Sequence, residues 1–210
     1  MNTIQQNFIV LDHPLVKRDM TILRDKKTSP ELFRGAVKRI STILAVETAK
    51  QMELNEHEVE TPLEKTVGYS LSTDTVLVPV LRAGLGMVSG FLGVIPEAKV
   101  GHIGLQRDET TLLPTEYYYK TPKDLEKSKV ILLDPMLATG GSASEALNYL
   151  KKRGAVDLIF VCLVASPIGV QKVIENHPNV KIISATYDRE LNEKGYILPG
   201  LGDAGDRTFG

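Results

Sequence analysis

The chain is poor in cysteine, in net charge and in long apolar runs. Cys162 is the only thiol among 210 residues. A lone thiol excludes an intramolecular disulfide framework and any multi-cysteine zinc or iron–sulfur site. Lys and Arg total 25 and Asp and Glu 26, so the formal net charge is −1. Broad nucleic-acid surfaces carry a basic excess, which this balance lacks. The longest apolar run, Leu158 to Ala165, is far below the roughly 20 residues that cross a bilayer. Met1 to Phe8 contain no basic patch leading into an apolar stretch, so a cytoplasmic protein without a secretory signal is expected. No repeat, low-complexity tract or linker divides the chain, and a single domain over residues 1–210 is expected.

An apolar fraction of 42% is that of an ordinary globular protein with a sizeable core. Short β-branched runs recur at residues 76–81, 100–105, 130–133, 158–164 and 180–183. Most are continuously apolar, as in parallel strands covered on both faces. Pro79, inside the first run, points to an edge, a bulge or an early strand end. Helical patterns lie between the runs. One spans Pro30 to Leu54 with Ser29 as N-cap, and one spans Ile168 to Glu175, closed by Pro178. Another opens on a capping box, Ser142-Ala-Ser-Glu145, and closes at Gly154. Strands alternating with helices predict an α/β, doubly wound fold with a mainly parallel sheet. Two segments stand outside that pattern. Residues 106–123 are polar and aromatic, and residues 195–210 are glycine-rich. Long irregular segments in compact domains often serve as binding loops or lids. The acidic stretch Glu53 to Glu64 reads as an exposed face or loop.

The most informative segment runs from Val130 to Ser142. An apolar strand ends at Asp134, passes through a small-residue loop and opens into a helix. Free N–H groups at a helix start, together with the helix dipole, favour an anion. Gly140 and Gly141 permit close backbone approach, and Thr139 and Ser142 offer hydroxyl donors. Asp134, at a strand's carboxyl end, is placed to accept hydrogen bonds from a pair of sugar hydroxyls. Neither a Gly-Lys-Ser/Thr loop nor a G-x-G-x-x-G fingerprint is present. A plain strand-to-helix turn with a good cap is the competing reading.

Asp134-Pro-Met-Leu-Ala-Thr-Gly-Gly-Ser142 resembles the phosphoribosyl diphosphate (PRPP) motif of the uracil phosphoribosyltransferases. These belong to the wider type I phosphoribosyltransferases, which usually show two adjacent acids before the loop. Pro135 replaces the second acid here, as is typical of the uracil enzymes. The resemblance implies PRPP contacts from Asp134, Pro135, Met136, Leu137, Ala138, Thr139, Gly140, Gly141 and Ser142. In it, residues 138–142 hold the 5′-phosphate and Asp134 faces the ribose. It further implies a type I phosphoribosyltransferase-like fold with a hairpin lid and a C-terminal base-binding segment.

Two arginines extend the resemblance. Arg82 sits in a glycine-containing turn after the strand Val78 to Leu81. Alone it reads as a solvated loop residue; the resemblance makes that turn the diphosphate loop, with Arg82 on PRPP. Arg107 matches a second PRPP arginine of the family, and the stretch through Tyr117 to Lys120 matches a mobile hairpin that covers the site. The tyrosines fit surface packing or a subunit contact equally well. Lys120 is a further, lesser candidate.

By composition the tail, Leu191 to Gly210, reads as a frayed terminus. Its Tyr196, Ile197, Leu198 and Phe209, its glycine rhythm, and Asp203 and Asp206 argue otherwise. It resembles the family's uracil-binding segment. The resemblance places uracil against the backbone of Ile197, Gly202, Asp203 and Ala204. It also gives Asp203 a contact to PRPP through Mg²⁺, held by a carboxylate and substrate oxygens. Backbone groups that pair with the uracil edge would reject cytosine.

The resemblance therefore implies conversion of uracil and PRPP into UMP and diphosphate, without a Ser–His or Cys–His nucleophile pair. Two rivals share the scaffold: a transferase for orotate or a purine, and a UMP- or uracil-responsive regulator that binds an RNA leader. Ile197 to Ala204 offers orotate no cation, although Arg207 follows, and no basic stripe suits RNA. Relatives form dimers or larger homo-oligomers, so a homo-oligomer is expected. GTP activates some members, which makes it a candidate activator. Cys162 reads as a core residue, and His13 and His102 lack the spaced partners of a metal site.

Overall fold

The computed structural model describes residues 7–107 and 114–210. Its first elements are β1 (Phe8–Val10), α1 (Pro14–Arg24), α2 (Pro30–Ala49), β2 (Leu54–Glu60), β3 (Lys65–Leu71) and β4 (Asp74–Leu81). Then come α3 (Leu85–Leu92), β5 (Lys99–Val100), β6 (His102–Arg107), β7 (Pro114–Lys120), β8 (Ser128–Leu133), β9 (Met136–Leu137) and α4 (Gly141–Lys152). The chain closes with β10 (Asp157–Ala165), α5 (Pro167–Asn176), β11 (Lys181–Tyr187), β12 (Glu190–Leu191), β13 (Ile197–Leu198) and α6 (Ala204–Phe209).

The main sheet has the order β1-β11-β10-β8-β4-β6-β7. Its strands pair in parallel, except that β6 and β7 form an antiparallel hairpin. Leu77, Ile131, Ile159, Val161 and Ile183 pack on one side with α1, α2 and α3. Val76, Val130, Leu132, Phe160, Cys162 and Ile182 pack on the other with α4 and α5. Burial on both faces explains why these strands read as continuous apolar runs rather than as alternation. Cys162 is fully buried, as a small core residue should be.

Local details depart from the expectations. Pro79 lies within β4, an interior strand, opposite Leu133 of β8. Leu77 accepts from the Gly101 N–H, and pairing on that side resumes only at Val80 with Ile103. The missing proline donor faces this gap, so the strand continues to Leu81. The expected capping box does not form. Gly140, at φ +76°, is the N-cap of α4, and Ser142 lies inside the helix with no side-chain cap. The C-terminus of α4 does behave as read: Gly154, at φ +95°, donates to Lys151 O, and Ala155 donates to Leu150 O. Helix α2 ends at Ala49, short of Leu54, because residues 54–71 form an exposed hairpin instead. The tail is ordered by β13 and α6. Among the described residues no helix is long and apolar enough to cross a membrane.

Candidate active site

The site lies beyond the carboxyl ends of β4 and β8, the usual ligand crevice of an open α/β sheet. β4 ends at Leu81 and delivers Arg82 across a cis peptide bond. Gly84 N–H donates to Val80 O at 2.8 Å, and a Cβ at Gly84 would collide with Leu133 O. Only glycine therefore lets this turn close against the end of β8. β8 delivers Asp134, whose N–H donates to Val161 O at 3.1 Å. The carboxyl sits low in the cleft, and burial pushes it up to about 7, outweighing the stabilising Met136 N–H.

The loop after Asp134 is built by its neighbours. Pro135 O accepts from the N–H groups of both Leu163 and Val164 at 3.0 Å. Leu137 is fully buried in the core. Ser166 donates its hydroxyl to Ala138 O at 2.6 Å while capping α5 through Gly169 N–H. Gly140, which has no side chain to cap with, then turns the chain into α4, and Thr139 Oγ1 accepts at long range, 3.5 Å, from Gly141 N–H. Thr139 is exposed beside them.

The tail forms the facing wall. β12 and β13 make a short antiparallel pair, closed by Asn192 Oδ1, which accepts from Lys194 and Tyr196 N–H groups at 3.0 and 2.9 Å. Asp203 caps α6, its Oδ1 accepting from Asp206 N–H at 2.9 Å. Arg82 Nη2 meets Asp206 Oδ1 at 3.1 Å, both side chains well exposed. Such a pair adds little stability, but it joins the Arg82 turn to the tail.

Two adjoining clefts result. One, of about 380 Å³, lies between Asp134, Met136 and Ala138 on one side and Ile197, Gly202, Asp203 and Ala204 on the other. The second, of about 280 Å³, is lined by Arg82, Ser142, Asp203 and Asp206. Asp134 and Asp203 belong to both. Residues read from three separate stretches of sequence thus meet at one place. Among the described residues no cluster of three or more His, Cys, Asp or Glu forms a protein-only metal cage. The Asp203 carboxylate at the junction suits a hard cation that brings its remaining oxygens with a ligand.

Other expected residues fall elsewhere. Arg107 ends β6, but its side chain lies outside the described residues, as does the 108–113 connection. Lys120 pairs with His102 at the far end of the hairpin from Arg107. Tyr119 lies under Arg153, whose guanidinium is 3.8 Å from the ring centre, and Tyr117 packs on Gly104. Two of the three tyrosines therefore pack within the hairpin or against α4. Arg207, the cation nearest an orotate-type reading, donates instead to Leu201 O and Asp25 O at 2.7 Å and lies over the Phe33 ring. Lys194 and Tyr196 also line the first cleft. Tyr196 stood out in the sequence only as a large side chain against fraying of the tail, and nothing local marks Lys194.

Comparison with known proteins agrees with this geometry. A hypoxanthine phosphoribosyltransferase of Trypanosoma cruzi aligns over 75% of each chain, with a TM-score of 0.52 and 13% identity. That likeness establishes the fold of the type I phosphoribosyltransferases. A solved protein of Aquifex aeolicus is much nearer, with a TM-score of 0.90, 39% identity, and 96% and 97% of the two chains covered. The profile of the uracil phosphoribosyltransferase family matches residues 10–210. A uracil phosphoribosyltransferase of Salinibacter ruber is 52% identical over 205 residues, 98% of each chain. One of Bacillus licheniformis is 54% identical over 202 residues, 96% of this chain and 97% of that one. The chain belongs to the uracil phosphoribosyltransferase family.

Proposed function

We propose that the chain transfers the 5-phosphoribosyl group of PRPP to N1 of uracil, giving UMP and diphosphate, within one domain over residues 1–210. The observation that carries this reading is the junction of the two clefts at Asp134 and Asp203. One cleft has the size and backbone lining for a flat base, and the other the arginine and open helix start for phosphates.

In this reading Ala138, Thr139, Gly140, Gly141 and Ser142 hold the 5′-phosphate through backbone N–H groups and hydroxyls. Pro135, Met136 and Leu137 shape the approach, and Asp134 accepts from the ribose hydroxyls. Arg82 and Arg107 face the diphosphate. Uracil lies against the backbone of Ile197, Gly202, Asp203 and Ala204. Mg²⁺ bound with PRPP would be held by Asp203 and substrate oxygens, and supplies positive charge beside the leaving diphosphate. Uracil N1 forms its bond to the anomeric carbon as the bond to diphosphate oxygen breaks, with inversion there and loss of the N1 proton. Fixed donors and alignment of the two substrates supply the rate enhancement.

A homodimer or larger homo-oligomer belongs to the same reading. The β2–β3 hairpin exposes Leu54, Leu63, Val67 and Tyr69, and a two-stranded ribbon alone is marginal in water. A second copy is the natural cover, with GTP as a candidate activator of the assembly. The same reading places the chain in the cytoplasm, where a lone thiol stays reduced. Base competition tests the substrate assignment. Unlabelled uracil should displace labelled uracil from the reaction, while orotate, cytosine and hypoxanthine in tenfold-order excess should not. Preferred use of any other base would overturn it.

A further inference from the structure

The tail wall is gripped by two residues far from it in sequence. Arg24, ending α1, donates Nη1 to Asp188 Oδ2 at 2.8 Å and Nη2 to Asp188 Oδ1 at 2.6 Å. The same Nη1 donates to Gly200 O at 2.9 Å, and Gly200 N–H donates to Asp188 Oδ2 at 2.8 Å. Both backbone groups of Gly200 are therefore held by one ion pair. The Asp188 side chain is 3% exposed and that of Arg24 27%. A bidentate, largely buried pair of this kind has little geometric freedom. The turn it holds is tight: Gly200 has φ +60°, and a Cβ there would collide with Ile197 O. Arg207 fixes the next carbonyl, Leu201 O, while also donating to Leu23 O and Asp25 O on either side of Arg24. The end of α1 thus holds Gly200 and Leu201, directly between the cleft residues Ile197 and Gly202.

We propose that Arg24 and Asp188 are positioning residues for nucleobase recognition. Neither lines the two clefts. They set the path of residues 197–202, so that the N–H and C=O groups facing the first cleft meet the edge of the base. This rests on the reading of the tail as the base site. The phosphate loop is built by β9, β10 and the start of α5, and Asp203 keeps its own tie through Asp206 to Arg82. Loosening the pair therefore acts on base recognition more than on PRPP recognition.

Steady-state kinetics on the full chain tests the proposal. Asp188→Asn keeps the size and one oxygen for Gly200 N–H but removes the charge pairing. It should raise KM for uracil about tenfold and leave kcat and KM for PRPP within about threefold. Arg24→Ala should do the same, and Arg24→Lys, which keeps the charge and one donor, should recover much of the loss. Equal rises in both KM values, an unchanged KM for uracil, or no recovery with lysine would overturn the proposal. If Asp188→Asn does not fold, the arginine pair alone carries the same readout, since Arg24 is partly exposed. Ala204→Val, in the cleft itself, separates the two levels. If it leaves the KM for uracil unchanged, the base-site reading fails. If it raises that KM and the Arg24 and Asp188 variants do not, only the positioning proposal fails.

Discussion

The backbone of Gly140 lies against the backbone of Gly169 with no side chain between them. A Cβ on Gly140 would stand 2.9 Å from Gly169 O, and a Cβ on Gly169 would stand 2.5 Å from Ala138 O and 2.7 Å from Leu137 O. The start of α5 is therefore the wall behind the proposed phosphate loop. Neither partner can grow without moving the loop. Gly169→Ala should raise KM for PRPP about tenfold while KM for uracil changes less than about threefold. Varying one substrate at a time measures both.

Asp203 belongs to both clefts and caps α6. Asparagine is an equally good N-cap, so Asp203→Asn should melt within a few degrees of the native chain. Loss of the carboxylate that would hold Mg²⁺ beside the leaving diphosphate should nevertheless lower kcat/KM on the order of a hundredfold. Full activity in the folded variant would contradict the role given to Asp203.

Burial raises the Asp134 carboxyl to about 7, well above its ordinary value of 3.8. The folded chain thus holds a proton that the unfolded chain has lost, and stability falls as pH rises across that window. The direction is opposite to that of a salt-bridged carboxylate. Asp134→Asn removes the titration. Its melting temperature should gain on that of the native chain between pH 4 and 7, and the difference should level off at higher pH. Thermal melts across that range check the sign, and a difference that shrinks with rising pH would contradict it.

Arg153 joins α4 to the hairpin, lying over Tyr119 and donating to Glu116 Oε1 at 2.7 Å. Arg153→Met leaves the largely covered Glu116 carboxylate without its cation, whereas Glu116→Gln leaves a neutral amide beside an arginine that reaches solvent. The first should cost about 2 kcal/mol and the second less than about 1 kcal/mol. Denaturant midpoints of the two variants measure the difference.

The strands and the tight loop from Asp134 to Gly141 were legible because their signals are local. Val130 to Leu133 reads as a doubly covered strand, and Gly140-Gly141 reads as a close backbone approach, whatever surrounds them. Pro79 misled because its consequence depends on where a neighbouring strand pauses, and that neighbour is more than twenty residues away. Ser142 misled for a related reason: the capping box is a real local signal, but the left-handed Gly140 displaces it by two positions. The β2–β3 hairpin was hidden because acidic residues interrupt β2 and its apolar side chains lie exposed, with almost nothing buried to set a period. Arg24 and Asp188 were not legible at all. Their partnership spans 164 positions and joins them through a backbone turn rather than a motif.

The most direct test of the account is an omission series with labelled uracil, PRPP and Mg²⁺ on the native chain. UMP and diphosphate should form in equal amounts with all three present, and no UMP should form when uracil or PRPP is withheld. Absence of UMP from the complete mixture, at a protein concentration where the chain is folded, would contradict it.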